Sequence, residues 1–329
     1  MSEAHLEARP FRQPLTIVNV VERVLVASPR GFCAGVERAV AVVEEALKRR
    51  GPPVYVRKQI VHNRHVVADL EARGAIFVES EAEVPAGATV VFSAHGVAPA
   101  VYRRAEERAL RAIDATCPLV TKVHSEVRHY ARDGYRILVI GHAGHEEVDG
   151  TMGVAPARTA LVESVADAEA LVADPSEPLA YVTQTTLSID DTAAIVDVLA
   201  RRFPGLVGPR TEDICYATTN RQRAVKSLLS EIGFLLVVGS TNSSNSNRLV
   251  EVGEARGIPS ALVDDESAIE ERWFDGVEVA GLTSGASVPE HLVRQVCGWF
   301  AARGAEVVHR PFVAEDVFFR LPAEVRGHA

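Results

Sequence analysis

Three cysteines in this 329-residue chain stand in settings where chemistry is possible. Cys33 lies in Arg-Gly-Phe-Cys-Ala-Gly, Cys117 in Asp-Ala-Thr-Cys-Pro, and Cys215 in Asp-Ile-Cys-Tyr-Ala-Thr-Thr-Asn. They recur at roughly 90-residue intervals, a period too long for a stacked solenoid. No Cys-x-x-Cys pair is present, and structural disulfides are not expected in a large chain from a reducing compartment. A lone cysteine is ordinarily a small buried hydrophobe. Cys297, in an apolar helix-like stretch with no polar companion, is read that way. The other three are each followed by two polar loops. The first loops are Val61-His62-Asn63, then Gly141 through Glu147, then Gly239 through Asn247. The second are Ser93-Ala94-His95-Gly96, Thr183-Gln184-Thr185-Thr186, and Thr283 through Ser287.

These segments need elements to hold them. Short apolar runs at 24–28, 54–56, 89–93, 137–141, 180–183, 235–239 and 279–282 read as strands. Amphipathic stretches at 36–49, 119–132, 191–203 and 219–232 read as helices. Strands alternating with helices predict an α/β chain with parallel sheets, whose ligands sit in the loops beyond the carboxyl ends of the strands. The threefold order of cysteine, polar loop and polar loop predicts three similar lobes in a pseudo-threefold trefoil. On that axis the three cysteines would meet.

Three converging thiolates could hold zinc, with His or water as fourth ligand. They could also hold an iron–sulfur cluster. Four-iron clusters usually take four cysteines, so three would leave one iron open. An open iron can act as a Lewis acid, and the cluster carries electrons. Spacing alone does not choose between the metals. Helix starts after each cysteine would favour the thiolate through their partial positive charge.

The loops read as an oxyanion cradle. His62, His95 and His145 can donate hydrogen bonds, and Ser243, Ser244, Asn245 and Ser287 add neutral donors, a set suited to a diphosphate. Any one histidine could instead be a satisfied core residue, and 240–247 a plain linker. Three histidines at matching strand ends, and a Ser/Asn loop directly after an apolar strand, favour binding. Glu147 could relay a proton beside an open iron, whereas Glu146 is expected to face solvent. Thr185 and Thr186 could hold a substrate hydroxyl.

A formal net charge of -9 disfavours non-specific nucleic-acid binding, although local donors can still bind an anion. No apolar run reaches the length of a membrane span. The first residues lack the basic start and hydrophobic centre of a signal peptide, so a cytoplasmic protein is expected. No Gly-x-Gly-x-x-Gly follows a strand, so no integral nicotinamide or flavin site is evident.

The motifs together resemble one family. R-G-F-C-A-G-V-E-R-A from Arg30, V-H-N-R from Val61, S-A-H-G-V from Ser93 and D-A-T-C-P-L-V-T-K-V-H from Asp114 look like 4-hydroxy-3-methylbut-2-enyl diphosphate reductases. So do T-Q-T-T-L-S from Thr183, D-I-C-Y-A-T-T-N-R-Q from Asp213, V-G-S-T-N-S-S-N-S-N-R-L from Val238 and G-A-S-V-P-E from Gly285. The resemblance implies reductive dehydroxylation of that allylic diphosphate to isopentenyl and dimethylallyl diphosphate, the last step of the methylerythritol phosphate route to isoprenoids. It implies one [4Fe-4S] cluster on Cys33, Cys117 and Cys215 with an open iron. His62, His95, His145, Ser243, Ser244, Asn245 and Ser287 would hold the diphosphate, Glu147 would deliver a proton, and Thr185 would assist at the hydroxyl. An external one-electron donor such as a ferredoxin or flavodoxin is implied, with neither nucleic acid nor membrane as partner.

The segments expected are an extension over 1–21, a first strand within 22–34 that the resemblance implies joins the third lobe, lobes over 35–117, 118–214 and 215–308, and a tail over 309–329. Lys58, Gln59 and His65 depart from the commonest family forms, and Cys297 is extra. Two rival readings are a zinc hydrolase or transferase and a cluster-bearing sensor. A sensor has no need of the His and Ser/Asn cradle.

Overall fold

The alternation of apolar and amphipathic stretches becomes twelve strands and ten α-helices among the described residues, which are 21–174 and 177–326 of a computed structural model. The first third holds β1 (Arg23–Ser28), α1 (Ala34–Arg50), β2 (Val54–Arg57), α2 (Arg64–Ala72), β3 (Ala75–Val78), β4 (Thr89–Phe92), α3 (Pro99–Glu107) and β5 (Arg111–Asp114). The middle holds α4 (Pro118–Arg132), β6 (Arg136–Ile140), α5 (Glu146–Met152), β7 (Thr159–Val162), α6 (Val165–Ala170), β8 (Leu179–Thr183) and α7 (Ile189–Arg202). The last holds α8 (Tyr216–Lys226), β9 (Phe234–Val238), α9 (Ser244–Glu254), β10 (Ser260–Val263), β11 (Val279–Ser284), α10 (Glu290–Ala301) and β12 (Glu306–Pro311). Of the extension expected over 1–21, all but Val21 lies outside the described residues, and Val21 is buried in the core of the third sheet.

The strands form three parallel sheets, ordered β3-β2-β4-β5, β7-β6-β8 and β10-β9-β11-β1-β12. A parallel sheet must be covered on both faces. Side chains alternate accordingly, since successive residues of a strand point to opposite faces. In β6, Ile137 and Val139 enter one core while Leu138 and Ile140 enter another. In β9, Leu235 and Val237 pack under α8 and α9, and Leu236 and Val238 pack under α10. The first sheet likewise has a core on each face, so each lobe contains two.

The sheets repeat one plan. Adjacent parallel pairs β2/β4, β6/β8 and β9/β11 carry the first and second polar loops at their carboxyl ends. On the far side of the second strand lies the segment that leads to a cysteine. It is β5 before Cys117, β1 before Cys33, and in the middle lobe only a single parallel bridge, Ala180 to Val207, before Cys215. Because β1 lies between β11 and β12, the start of the chain completes the sheet formed near its end.

After β12 the chain turns back toward the first sheet. Phe312 N–H donates to Ser28 O at 2.9 Å, Glu315 pairs with Arg221 of α8, and Arg38 of α1 donates to Arg320 O at 2.9 Å. Leu321 and Val325 then pack into the first-sheet core. The tail therefore ties the third lobe to the first.

Two expected boundaries shift. The helix expected over 219–232 starts earlier, directly after Cys215, and its regular turns stop at Lys226. Leu228, Leu229 and Ile232 remain buried through irregular turns, so the apolar periodicity continues beyond the helix. Edge strands β3, β7 and β10 were not expected, because each is four residues long and only partly buried.

Candidate active site

Each cysteine is the N-cap of a helix: Cys33 of α1, Cys117 of α4 and Cys215 of α8. Each also reaches into a second polar loop. Cys33 N–H donates to Ala286 O at 3.1 Å, Cys117 N–H to Ala94 O at 2.9 Å, and Cys215 N–H to Thr185 O at 3.0 Å. One backbone bond thus recurs in all three lobes, joining every thiol to the loop that ends the neighbouring strand. The three side chains line a single cavity. Gly35 marks their closeness, because a Cβ there would lie 2.7 Å from Cys117 Sγ and 3.8 Å from Cys33 Sγ.

Burial raises all three thiol pKa values. Cys117 is pushed up to about 12 and Cys215 to about 11, with neighbouring cysteines adding to the effect. Thr218 opposes this at Cys215, where its amide donates to Sγ at 3.4 Å and its hydroxyl lies 3.2 Å away. The thiols therefore keep their protons unless a cation displaces them. Among the described residues no three His, Cys, Asp or Glu side chains form a ready site for a single metal ion. The thiols surround a shared space instead.

The remaining expected residues line the same cavity: His62, His95, His145, Glu147, Thr185, Ser243, Ser244, Asn245 and Ser287. The three imidazoles cluster. His62 stacks on His95 with ring centroids 4.0 Å apart, and His145 meets both edge-on at 5.4 and 5.8 Å. Burial, and then the neighbouring imidazoles, hold His62 down to about 2 and His145 to about 4. Both rings are therefore neutral near pH 7. His145 caps α5 by accepting the Glu147 amide on Nδ1 at 3.2 Å, which assigns its proton to Nε2. His62 Nε2 is buried without a protein partner.

Opposite the histidines, Ser243 caps α9, and Ser244 and Asn245 open its first turn. Asn245 is fixed from two sides. Its Nδ2 donates to Thr218 Oγ1 at 3.2 Å, and its Oδ1 accepts the Ala286 amide at 2.9 Å. Ser287 Oγ donates to His62 O at 2.9 Å and Ser244 Oγ to Thr186 O at 3.3 Å, so both hydroxyls join separate lobes.

Glu147 is buried, 2% exposed, and its carboxylate accepts the Thr185 amide at 2.6 Å and the Thr185 hydroxyl at 2.9 Å. Burial raises its pKa to about 6, against the downward pull of those two bonds. A carboxyl poised there can hold or release a proton near neutrality.

The fold agrees with the comparisons. The profile of the LytB protein family matches residues 24–301. The chain belongs to the LytB family. A 4-hydroxy-3-methylbut-2-enyl diphosphate reductase of Acidothermus cellulolyticus is 59% identical over 307 residues, spanning 92% of this chain and 90% of that protein. One of Burkholderia pseudomallei is 54% identical over 304 residues, 92% of this chain and 97% of that one. The solved E-1-hydroxy-2-methyl-but-2-enyl-4-diphosphate reductase of Plasmodium falciparum superposes with a TM-score of 0.91 at 39% identity, covering 92% of this chain and 96% of that one. A second solved structure, a (E)-4-hydroxy-3-methyl-but-2-enyl diphosphate reductase described as the terminal enzyme of the non-mevalonate pathway, gives 0.61 at 30% identity, over 85% and 99% of the two chains.

In this LytB chain one expectation fails. Glu146 does not face solvent: its side chain is 18% exposed, with Oε2 3.3 Å from His95 Nδ1. It lies at the start of α5, which packs against the first lobe, so an acid that looks like surface in the sequence meets a half-buried histidine. Three further residues were passed over individually. Thr218 touches the Cys215 thiol, Asp213 accepts the Thr183 amide at 2.9 Å and the Lys122 ammonium at 2.8 Å, and Arg221 donates to Gly31 O at 2.7 Å. All three fall inside the quoted Asp213 motif, which was the one available signal.

Proposed function

We propose that this chain removes the hydroxyl of 4-hydroxy-3-methylbut-2-enyl diphosphate reductively, yielding isopentenyl and dimethylallyl diphosphate. The observation that carries the reading is the union of three helix-capping thiols, a histidine and Ser/Asn donor set and a proton-poised carboxyl around one cavity. The names borne by relatives over nine-tenths of the chain support the substrate.

Three thiols with no fourth cysteine nearby fit a [4Fe-4S] cluster with one open iron. Bound on Cys33, Cys117 and Cys215, it would supply electrons singly and a Lewis-acid position for the substrate oxygen. The residues do the rest. The His145 Nε2–H, the His62 ring and the amino end of α9 receive the diphosphate, where neutral donors and the helix dipole favour an anion. The incoming negative charge favours imidazolium, so diphosphate binding opposes the lowering that burial imposes on His62 and His145.

Thr185 holds Glu147 by two bonds and presents its hydroxyl toward the substrate oxygen. Glu147 then gives up its proton to the departing oxygen. Overall, two electrons and two protons convert the C–O bond to C–H and release water. The clamp spares the orientational entropy of the reaction.

The electrons come from an external carrier of the ferredoxin or flavodoxin class, and a reducing cytoplasm suits the free thiols. Among the described residues no helix is long and apolar enough to cross a membrane. The test is anaerobic turnover of the allylic diphosphate with reduced methyl viologen. The two isomeric diphosphates are expected, and cluster-loaded protein that yields neither would refute the reading.

A further inference from the structure

We propose that Arg64 and the Asp264–Asp265 pair form a latch that holds the first lobe against the third and so positions His62 over the diphosphate cradle. The inference deepens the function proposed above and rests on it for the identity of the ligand.

Arg64 is the first residue of α2, two positions after His62, and Asn63 caps that helix by accepting the amides of His65 and Val66 at 3.1 Å. Asp264 and Asp265 follow β10 in the third sheet. Arg64 Nη2 donates to Asp265 Oδ2 at 2.7 Å, and its Nε lies 3.5 Å from Asp264 Oδ2. His65 Nε2 lies 2.9 Å from the same Asp265 oxygen. The backbone is joined as well: Arg64 N–H donates to Ser240 Oγ at 3.3 Å, and that hydroxyl donates to Asp264 Oδ1 at 2.5 Å. On the other side of His62, Ser287 Oγ of the third lobe donates to the His62 carbonyl. The segment carrying His62 is thus pinned to the third lobe at His62, Arg64 and His65, by charge at the rim and by hydroxyls within.

None of the latch side chains lines the cavity, so their effect on substrate passes through His62. Asp265 is well suited to the task. Bonds from Ser267, and then from Arg64, hold its pKa down to about 2, so it stays charged at working pH. The pair spans lobes that are separate sheets with separate cores, so breaking it need not unfold either.

The experiment compares the cluster-loaded parent with Asp265→Asn, Asp265→Glu and the swap Arg64→Asp/Asp265→Arg. Hydrogen exchange across residues 59–66 is read without substrate. Inorganic pyrophosphate affinity and steady-state kinetics are read in parallel. For Asp265→Asn the latch predicts faster exchange there and about a tenfold rise in KM and in the pyrophosphate Kd, equivalent to roughly 1.4 kcal/mol. Turnover number should stay within about twofold. The glutamate variant and the swap should each recover part of both losses. Unchanged exchange overturns the latch. Faster exchange with unaltered pyrophosphate affinity overturns its role in positioning His62, as does a loss confined to kcat. A parent that binds no pyrophosphate would refute the cradle instead, and the exchange comparison would still decide whether the latch exists.

Discussion

Glu147 is where the chemistry and the environment of one residue meet. Its carboxyl is buried, is held by Thr185 through two bonds, and has a pKa raised to about 6. Glu147→Gln keeps the size and the Thr185 contacts but has no acidic proton. It is expected to retain iron while losing about 100- to 10,000-fold in kcat, the usual range for a general acid. A variant turning over like the parent would remove Glu147 from the mechanism. The sign of the pH effect follows from the direction of the shift. A raised pKa keeps the acid form below about 6 and loses it above, so kcat should fall as pH rises past that value. Substrate negative charge moves the limb to higher pH. A pH–kcat profile checks this, and a limb that survives in the glutamine variant belongs to another group. At this scale the sequence was informative for residues that stand at strand ends or helix starts, such as Cys33, His62 and Glu147, and these line the cavity. It misplaced Glu146 in solvent and was silent on Thr218 and Arg221, because a polar side chain on a helix looks solvated until tertiary packing brings a partner.

The elements matter through their ends. Three helices begin on cysteines, and each cysteine amide is tied to the loop of a neighbouring strand, which fixes where the thiol points. Gly35 is the second residue of α1, and it leaves the space that Cys117 Sγ occupies. Gly35→Ala is therefore expected to lower the iron bound per chain at least severalfold while far-ultraviolet circular dichroism stays that of the parent, since alanine suits a helix better than glycine. Full iron loading in that variant would show that the thiols do not need this close approach. Long elements were legible from periodicity: β6, β8, β9, α1 and α4 all lie within a few residues of their expected ranges. The end of α8 was not, because burial of Leu228 and Ile232 continues where helical hydrogen bonding stops. Short edge strands such as β3 and β7 were not legible either, since four partly buried residues carry little alternation.

At the scale of the whole molecule, three lobes stay in register because the chain joins them at its two described ends. β1 enters the third sheet, and the segment after β12 runs back to the first. Glu315 of that segment meets the fully buried guanidinium of Arg221, which also donates to Gly31 O beside the Cys33 loop. Leaving a buried charge unpaired is costly, so Glu315→Gln should destabilise the chain by about 3 kcal/mol, at the low end for a broken buried pair because carbonyls still serve Arg221. Thermal unfolding followed by circular dichroism measures this, and a melting temperature equal to that of the parent would deny the tail its bracing role. The threefold plan was legible in the recurrence of cysteine and polar loops, because a binding site on an axis imposes the same spacing on each lobe even where the side chains differ. The route of the tail was not, because its contacts are single side chains far apart in sequence. The account rests on three lobes bringing three thiols to one cluster, and one measurement reaches that claim most directly: iron and acid-labile sulfide per chain after purification without oxygen. About four of each is the result expected for a single cubane cluster. Stoichiometric zinc with no sulfide would contradict the account and favour a hydrolytic site in its place.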